Sequence, residues 1–592
     1  MAQDQDGPGA ARPNIVWIVV EDASPHLGCY GETTISTPHI DALARQGVRF
    51  THAFVTCPVC SPSRSAMVTG MYQTTLGAHS HRSQRAAGKG AAAVRDRASF
   101  RLPIRSVPEL FRSAGYYVTN TGLNKRGKTD YNFVAEGLYD EGDWTKRHPG
   151  QPFFAQIQLH GGKARRAKVA TPVDPDMVEL PPYYPDNDVI RRDWAAYLNS
   201  WIKTDDEVGD IVERLDKQGL LESTVIFFWT DHGISHLRGK QFLYDEGVRV
   251  PLIVRLGEGR EAGKLRDDLV EHIDIAAASL SLAGIDVPDY VQGRDLFAAG
   301  YEPREFVFTA RDRCDETLDI IRSVRTRRFK YIRNFISYVP HAQPNQYKDG
   351  KAIVQEMRRL HREHGLSELQ DSMFQARRPV EELYDVKVDP HETVNLAGDP
   401  KHRTTLERLR STLYNQMVET HDVGLIPEPI LEDLGRQHDS KYHVLKQPAN
   451  SGLVRELISI IEAGERGDIE TLHRSLDSDR PSTRFWSATW LGNLRNESAA
   501  SRLEQHIADP HPAVRIATAL ALCQLGRIEP NLAVLADHLD SDNLIAGMYA
   551  ARALELLGPQ AKAVLPAIQR ARNSPYNFTV RIANRLSQQL SQ

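Results

Sequence analysis

The chain has 592 residues, 41% of them hydrophobic and 25% charged, with a formal net charge of −4. At roughly 100–200 residues per domain there is room for about three folded units. The charge balance lacks the basic stripe that would make nucleic acid a partner, and no apolar run reaches the roughly 18 residues of a membrane-crossing helix. Five cysteines, Cys29, Cys57, Cys60, Cys314 and Cys523, do not make a disulfide framework in so long a chain, and the odd count leaves at least one thiol without an internal partner.

Residues 1–12 are polar, read as a disordered tail, and lack the apolar core of a signal peptide. Such a start also suits an exported protein whose leader is absent, so a periplasmic or secreted location is expected. The β-branched run 14–20 (NIVWIVV) ends in Glu21-Asp22. Similar runs at 153–159, 225–229 and 252–254, with helical patterns such as 37–46 and 106–114 between them, predict an α/β domain over 13–300. Its sheet should be mostly parallel and sandwiched by helices. Three of the runs lead into Glu21-Asp22, His160 and Asp231-His232. Ligands bind beyond the carboxyl ends of strands in such sheets, so one rim would collect these side chains. The basic stretch 163–168 (KARRAK) reads first as a solvated loop and second as an anion-attracting patch.

From about residue 300, short strand-like runs at 305–309, 320–324 and 329–333 predict a smaller α+β subdomain over 301–440, followed by a polar linker at 441–453. Residues 454–592 are helical, and the segments 477–494, 509–526 and 540–558 each place an Asp-containing turn before an Ala/Leu-rich helix, about every 31–32 residues. That period predicts an all-α solenoid resembling HEAT repeats, with a non-repetitive bundle as the alternative.

The segment 57–70 reads CPVCSPSRSAMVTG. Alone, the Cys57–Cys60 spacing suits a zinc site, with His79 and His81 as the near candidates for a second ligand pair, a redox disulfide, or simply buried thiols. The longer pattern Cys60-Ser61-Pro62-Ser63-Arg64, continuing to Thr69-Gly70, resembles the signature of the sulfatase family, and the likeness extends from about Pro13 to about Asp422. In that family a maturation enzyme oxidises the cysteine of Cys-x-Pro-x-Arg to formylglycine. The hydrated aldehyde has two geminal hydroxyls: one attacks sulfur, and the other then expels sulfate and regenerates the aldehyde, which splits one hard step into two.

The resemblance implies roles for further residues. Glu21, Asp22, Asp231 and His232, with the modified Cys60, would hold a divalent cation. Calcium is expected, with magnesium or manganese admitted by the softer histidine, and Glu21 stands where Asp is usual. Arg64 would anchor the diol, and Lys128, His160 and Lys240 would bind sulfate or serve the leaving group. Asp130 stands where the family has a histidine, so that proton-transfer role passes to His79, His81 or His236, each also readable as a local structural histidine. Arg311, Arg313, Asp315 and Glu316 lie in a polar loop expected either at the mouth of the site, reading sugar hydroxyls or a uronate, or simply at the surface. The motifs at 382–385 and 389–396 resemble a hallmark of the family's C-terminal subdomain and read as structural, and together with 74–83 the C-terminal stretch through His421 leans toward the heparan N-sulfatase-like branch. The expected partners are a sulfated carbohydrate and the maturation enzyme. The repeats would bind a polymer, a partner protein or a second copy, and would be dispensable for a small substrate. A phosphoester or phosphonate hydrolase of the same superfamily and a non-catalytic scaffold are the competing readings.

Overall fold

The computed structural model describes residues 12–83, 100–122 and 127–591; nearly all of the tail expected at 1–12 lies outside them. Seven strands, β1 (Asn14–Val20), β2 (Val48–Phe54), β3 (Tyr117–Gly122), β4 (Phe153–Leu159), β5 (Thr224–Thr230), β6 (Arg249–Arg255) and β7 (Leu265–Glu271), form a sheet ordered β3-β4-β1-β5-β6-β2-β7. β1 pairs in parallel with β4 and β5, and β4 with β3, while β6 runs antiparallel to both β5 and β2. All seven residues of β1, β4 and β5 are buried. Alternate side chains therefore need cover on both faces. On one face the Trp17 indole N–H donates to Ser279 Oγ in helix Asp274–Leu282 at 2.8 Å. On the other, Phe228 meets Trp201 of the long helix Asp188–Lys217.

This topology fixes the site. β1, β3, β4 and β5 are parallel, so the residues following each one emerge at the same edge. Helix Cys60–Met67 is buried along its whole length against that edge. Ser63 Oγ donates to the Asp231 carbonyl at 2.6 Å, and His272 bridges the Thr56 amide and the Ser63 carbonyl. Burial pulls the His272 pKa down to about 4, so the bridging imidazole is neutral.

Four antiparallel strands, β8 (Val307–Arg311), β9 (Ile321–Arg325), β10 (Phe329–Asn334) and β11 (Glu381–Asp385), form the second sheet in the order β11-β10-β9-β8. Asp389 accepts the amides of Thr393 and Val394, and Asn395 accepts that of Leu383, so the 382–396 motif works as a turn and a cap.

The helical region is not tethered by a free linker. Residues Lys441–Lys446 form a 3-10 helix with Lys441, Tyr442, Val444 and Leu445 buried; Lys441 pairs with Glu432, and Tyr442 packs with Met71, Leu76 and Ala78. Paired helices then follow from Leu453–Arg466 to Asn577–Ser591, several with proline in their first turn, as at Pro481 and Pro512. Their core is continuous with that of the second subdomain: Leu409, Leu413, Val423, Leu457, Ile461 and Trp486 belong to one cluster, and the Trp486 indole donates to the Leu425 carbonyl at 2.8 Å. Large-to-small changes in such a core cost about 3–5 kcal/mol for tryptophan. Trp486→Ala should therefore lower the melting temperature of the second subdomain and the first repeats together in calorimetry. Two independent transitions, only one of them shifted, would contradict the shared core.

Candidate active site

Asp22 is the first residue beyond β1 to break strand geometry, with a positive φ of 52°. Aspartate tolerates the left-handed region better than most residues, and non-glycine residues held there concentrate at functional sites. The turn aims a fully buried carboxylate into the rim, and the Asp22 amide donates to Asp231 Oδ1 at 3.0 Å. Asp231 and His232 leave β5 next door, both buried. His232 Nδ1 faces the Gly233 carbonyl at 3.0 Å, which only accepts, so Nδ1 carries the proton. Nε2 then points into the cluster, 3.2 Å from Cys60 Sγ and 3.5 Å from both Asp22 and Asp231. Donor atoms of Asp22, Cys60, Asp231 and His232 lie within 4.8 Å of one another, the spacing of side chains able to share one cation.

Cations surround this group. Lys240 Nζ sits 3.0 Å from Cys60 Sγ and 3.1 and 3.2 Å from the two Asp22 oxygens. Lys163 Nζ is 3.7 Å from Cys60 Sγ, 3.4 Å from Asp22 and in contact with Glu21. Lys128 Nζ pairs with Glu21 at 3.0 Å, and buried Arg64 pairs with Asp231 at 2.9 Å and Glu21 at 3.4 Å. Burial raises the Cys60 thiol, but Lys128, Lys163, Lys240 and His232 outweigh it and hold the pKa well below its ordinary value. Burial likewise opposes ionisation of Asp22, and Lys163, Lys240 and His232 prevail. The site is thus built to stabilise negative charge on whatever occupies the Cys60 position and on a bound anion.

The residues expected from the sequence divide. Glu21, Asp22, Cys60, Arg64, Lys128, Asp231, His232 and Lys240 converge, although Glu21 serves the lysines and Arg64 rather than joining the four-residue group. His160 does not converge. It is exposed, and among the described residues it makes no side-chain hydrogen bond or ion pair. Lys163 occupies the rim beyond β4 instead, so the basic stretch at 163–168 is not wholly a solvated loop. Gly161 and Gly162 make this possible. Gly161 has a φ of 49°, and a Cβ on Gly162 would lie 2.0 Å from the Asp22 carbonyl oxygen.

His236 is held by Asp193 at 2.5 Å and Arg165 at 3.0 Å among Tyr184, Trp194 and Tyr197; burial lowers its pKa to about 3, and it is a neutral structural ring. His79 is buried beside the cavity between the second subdomain and the repeats, and burial with Arg322, Lys441 and Arg313 nearby keeps it neutral. Buried His81 pairs through Nδ1 with Asp315 at 3.1 Å, and buried Asp130 lies 3.6 Å from Arg82 and 3.8 Å from Lys128. Arg311 is spent on Asp319, and Arg313 on a bidentate pair with Glu428, so both fix the loop. Tyr347, which no sequence pattern singled out, donates to Asp22 Oδ2 at 2.8 Å.

A mostly parallel α/β sheet whose rim gathers Cys60, carboxylates and cations suits a hydrolase of anionic tetrahedral esters. A profile described as Sulfatase matches residues 13–285, one described as N-sulphoglucosamine sulphohydrolase, C-terminal, matches 232–378, and one for HEAT repeats matches 469–555. An ulvan-active sulfatase of Formosa agariphila is 33% identical over 463 residues, spanning 70% of this chain and 76% of that protein. The human N-sulphoglucosamine sulphohydrolase is 27% identical over 480 residues, 72% of this chain and 94% of its own. The phosphonate monoester hydrolase structure from Silicibacter pomeroyi shares the fold, with a TM-score of 0.50, 18% identity, and coverage of 70% of this chain and 97% of that one. The chain belongs to the sulfatase family.

Donors aimed at developing charge are each worth about 10²–10³-fold. Lys163→Ala should lower kcat/KM for a sulfate ester by that order, whereas His160→Ala should leave it unchanged. A larger loss from the histidine variant would contradict the placement of these two side chains.

Proposed function

We propose that this sulfatase removes sulfate from a sulfated carbohydrate, as an ester or a sulfamate, using a formylglycine made from Cys60 and a divalent cation. The observation that carries this reading is the position of Cys60: first residue of a buried helix, within the Cys-x-Pro-x-Arg pattern, with Lys240 at 3.0 Å, His232 at 3.2 Å and Lys163 at 3.7 Å. Relatives named for ulvan and for N-sulphoglucosamine support a sulfated carbohydrate as substrate.

The residues fit a cation. Two buried carboxylates and an imidazole with its Nε2 turned inward converge with the Cys60 position, a mixed oxygen and nitrogen set suited to calcium and tolerable to magnesium or manganese. Asp22, Asp231, His232 and the converted Cys60 side chain would hold it. When bound, it supplies Lewis-acid charge at the sulfate oxygens and eases ionisation of the attacking hydroxyl.

Lys240, Lys163 and Lys128 bind the remaining sulfate charge, and Arg64 fixes the carboxylates behind the nucleophile. One hydroxyl of the hydrated aldehyde forms a bond to sulfur as the bond from sulfur to the leaving oxygen or nitrogen breaks, and the leaving atom takes a proton. The second hydroxyl then gives up its proton, the carbon–oxygen bond to sulfate breaks, and the aldehyde returns. Cys60 is only 2% exposed in the folded chain, so its oxidation must precede closure of the fold.

Loss of a nucleophile costs on the order of 10⁶-fold in comparable covalent enzymes. Cys60→Ala should abolish sulfate release from a panel of sulfated mono- and disaccharides while the fold persists, and wild-type-like turnover by that variant would refute the reading. Chelation should remove activity and added calcium restore it; a metal-stripped sample, verified by elemental analysis, that kept full activity would exclude the cation. Preferential hydrolysis of phosphonate or phosphate monoesters would favour the other branch of this fold.

A further inference from the structure

The last described helix, Asn577–Ser591, lies far along the chain from the catalytic residues, yet it reaches the loop beside the rim. Arg581 and Arg585 stand one turn apart on one face. Arg581 lies 3.2 Å from Glu316 and 3.5 Å from Asp315, and Arg585 lies 3.3 Å from Glu316 and 2.6 Å from Glu555. Glu316 is 1% exposed, and the same carboxylate accepts the backbone amide of Gln346 at 2.7 Å. Gln346 opens the four-residue helix Gln346–Asp349, capped by Asn345, and the next residue is Tyr347, whose hydroxyl holds Asp22. A helix that short has no stability of its own. Its position depends on such tertiary anchors.

We propose that Arg581 and Arg585 are positioning residues for the catalytic centre, acting through Glu316 on Tyr347 and thereby on Asp22. A buried carboxylate stripped of its cations is strongly unfavourable and turns toward water. Glu316 without the two arginines therefore releases the amide that pins the Tyr347 helix, and Asp22 loses its neutral hydrogen-bond donor while keeping Lys163 and Lys240. A second arm runs in parallel: Asp315, which Arg581 also faces, pairs with buried His81. The repeats are then part of the working enzyme even for the smallest substrate, contrary to the expectation that they are dispensable there. The proposal rests on Asp22 belonging to the sulfatase centre.

The test uses the full-length, matured protein with 4-nitrophenyl sulfate and equilibrium calcium binding. Partners one shell removed from a metal typically change affinity or activity by about 10–100-fold. The double variant Arg581→Met/Arg585→Met should lose calcium affinity and kcat by that order, with KM changing less. Adding Glu316→Gln, which keeps an acceptor for the Gln346 amide but needs no cation, should restore most of both. Tyr347→Phe, remote from the last helix, should reproduce the loss of calcium affinity, and decides the matter if the double variant does not fold. Wild-type calcium affinity and kcat in the folded double variant, or in Tyr347→Phe, would overturn the proposal. A wild-type enzyme that binds calcium but releases no sulfate would instead count against the proposed function, and the calcium measurements would still test the positioning.

Discussion

Everything at the catalytic rim depends on keeping buried carboxylates ionised next to Cys60. Glu21, Asp22 and Asp231 are at most 6% exposed, and an isolated carboxylate at such depth would take up a proton. Arg64, Lys128, Lys163 and Lys240 prevent this, and they come from different elements: the Cys60 helix, the segment after β3, the turn after β4, and the loop after β5. Parallel strand order brings their ends to one edge, and the backbone turn at Asp22 inserts its carboxylate among them. The same positive field that tolerates the carboxylates serves a sulfate, whose charge has to be bound and redistributed as the ester bond breaks. Structure and chemistry thus share one electrostatic solution.

Outside this cluster the protein spends its charged side chains on rigidity. Arg322 is fully buried between Asp312 and Asp422, and Arg313 is locked onto Glu428. Buried pairs of this kind add little net stability compared with apolar packing, but breaking one partner is costly. They fix the relative placement of the second sheet, the loop that continues to Asp315–Glu316, and the segment from Asp422 to Glu428.

Much of this was legible in the sequence because local rules dominate there. Continuous apolar, β-branched runs marked β1 and β5, a mostly apolar run marked β4, and the acids directly after β1 and β5 had to fall at the rim. The Cys60–Arg64 pattern and the repeat period needed no tertiary information. What escaped shares one cause: it depends on contacts distant in sequence. Lys163 sits in a basic stretch whose composition suits a solvated loop, and only the Gly161-Gly162 turn against the end of β1 draws it inward. His160 follows β4 immediately, but its side chain stays exposed. Tyr347 reaches a carboxylate 325 positions earlier. Residues 441–453 look like a linker by polarity, yet Tyr442 and Leu445 are buried against segments fixed much earlier in the chain.

The central claim is that Cys60 is the precursor of the nucleophile in this field of cations. It is tested most directly by measuring, in preparations matured to different extents, the fraction of the Cys60 peptide carrying the mass of formylglycine, with oxygen in place of sulfur and two hydrogens fewer. The account predicts that specific sulfatase activity rises in proportion to that fraction and extrapolates to zero for the unconverted cysteine. Equal activity in preparations with no detectable conversion would contradict it.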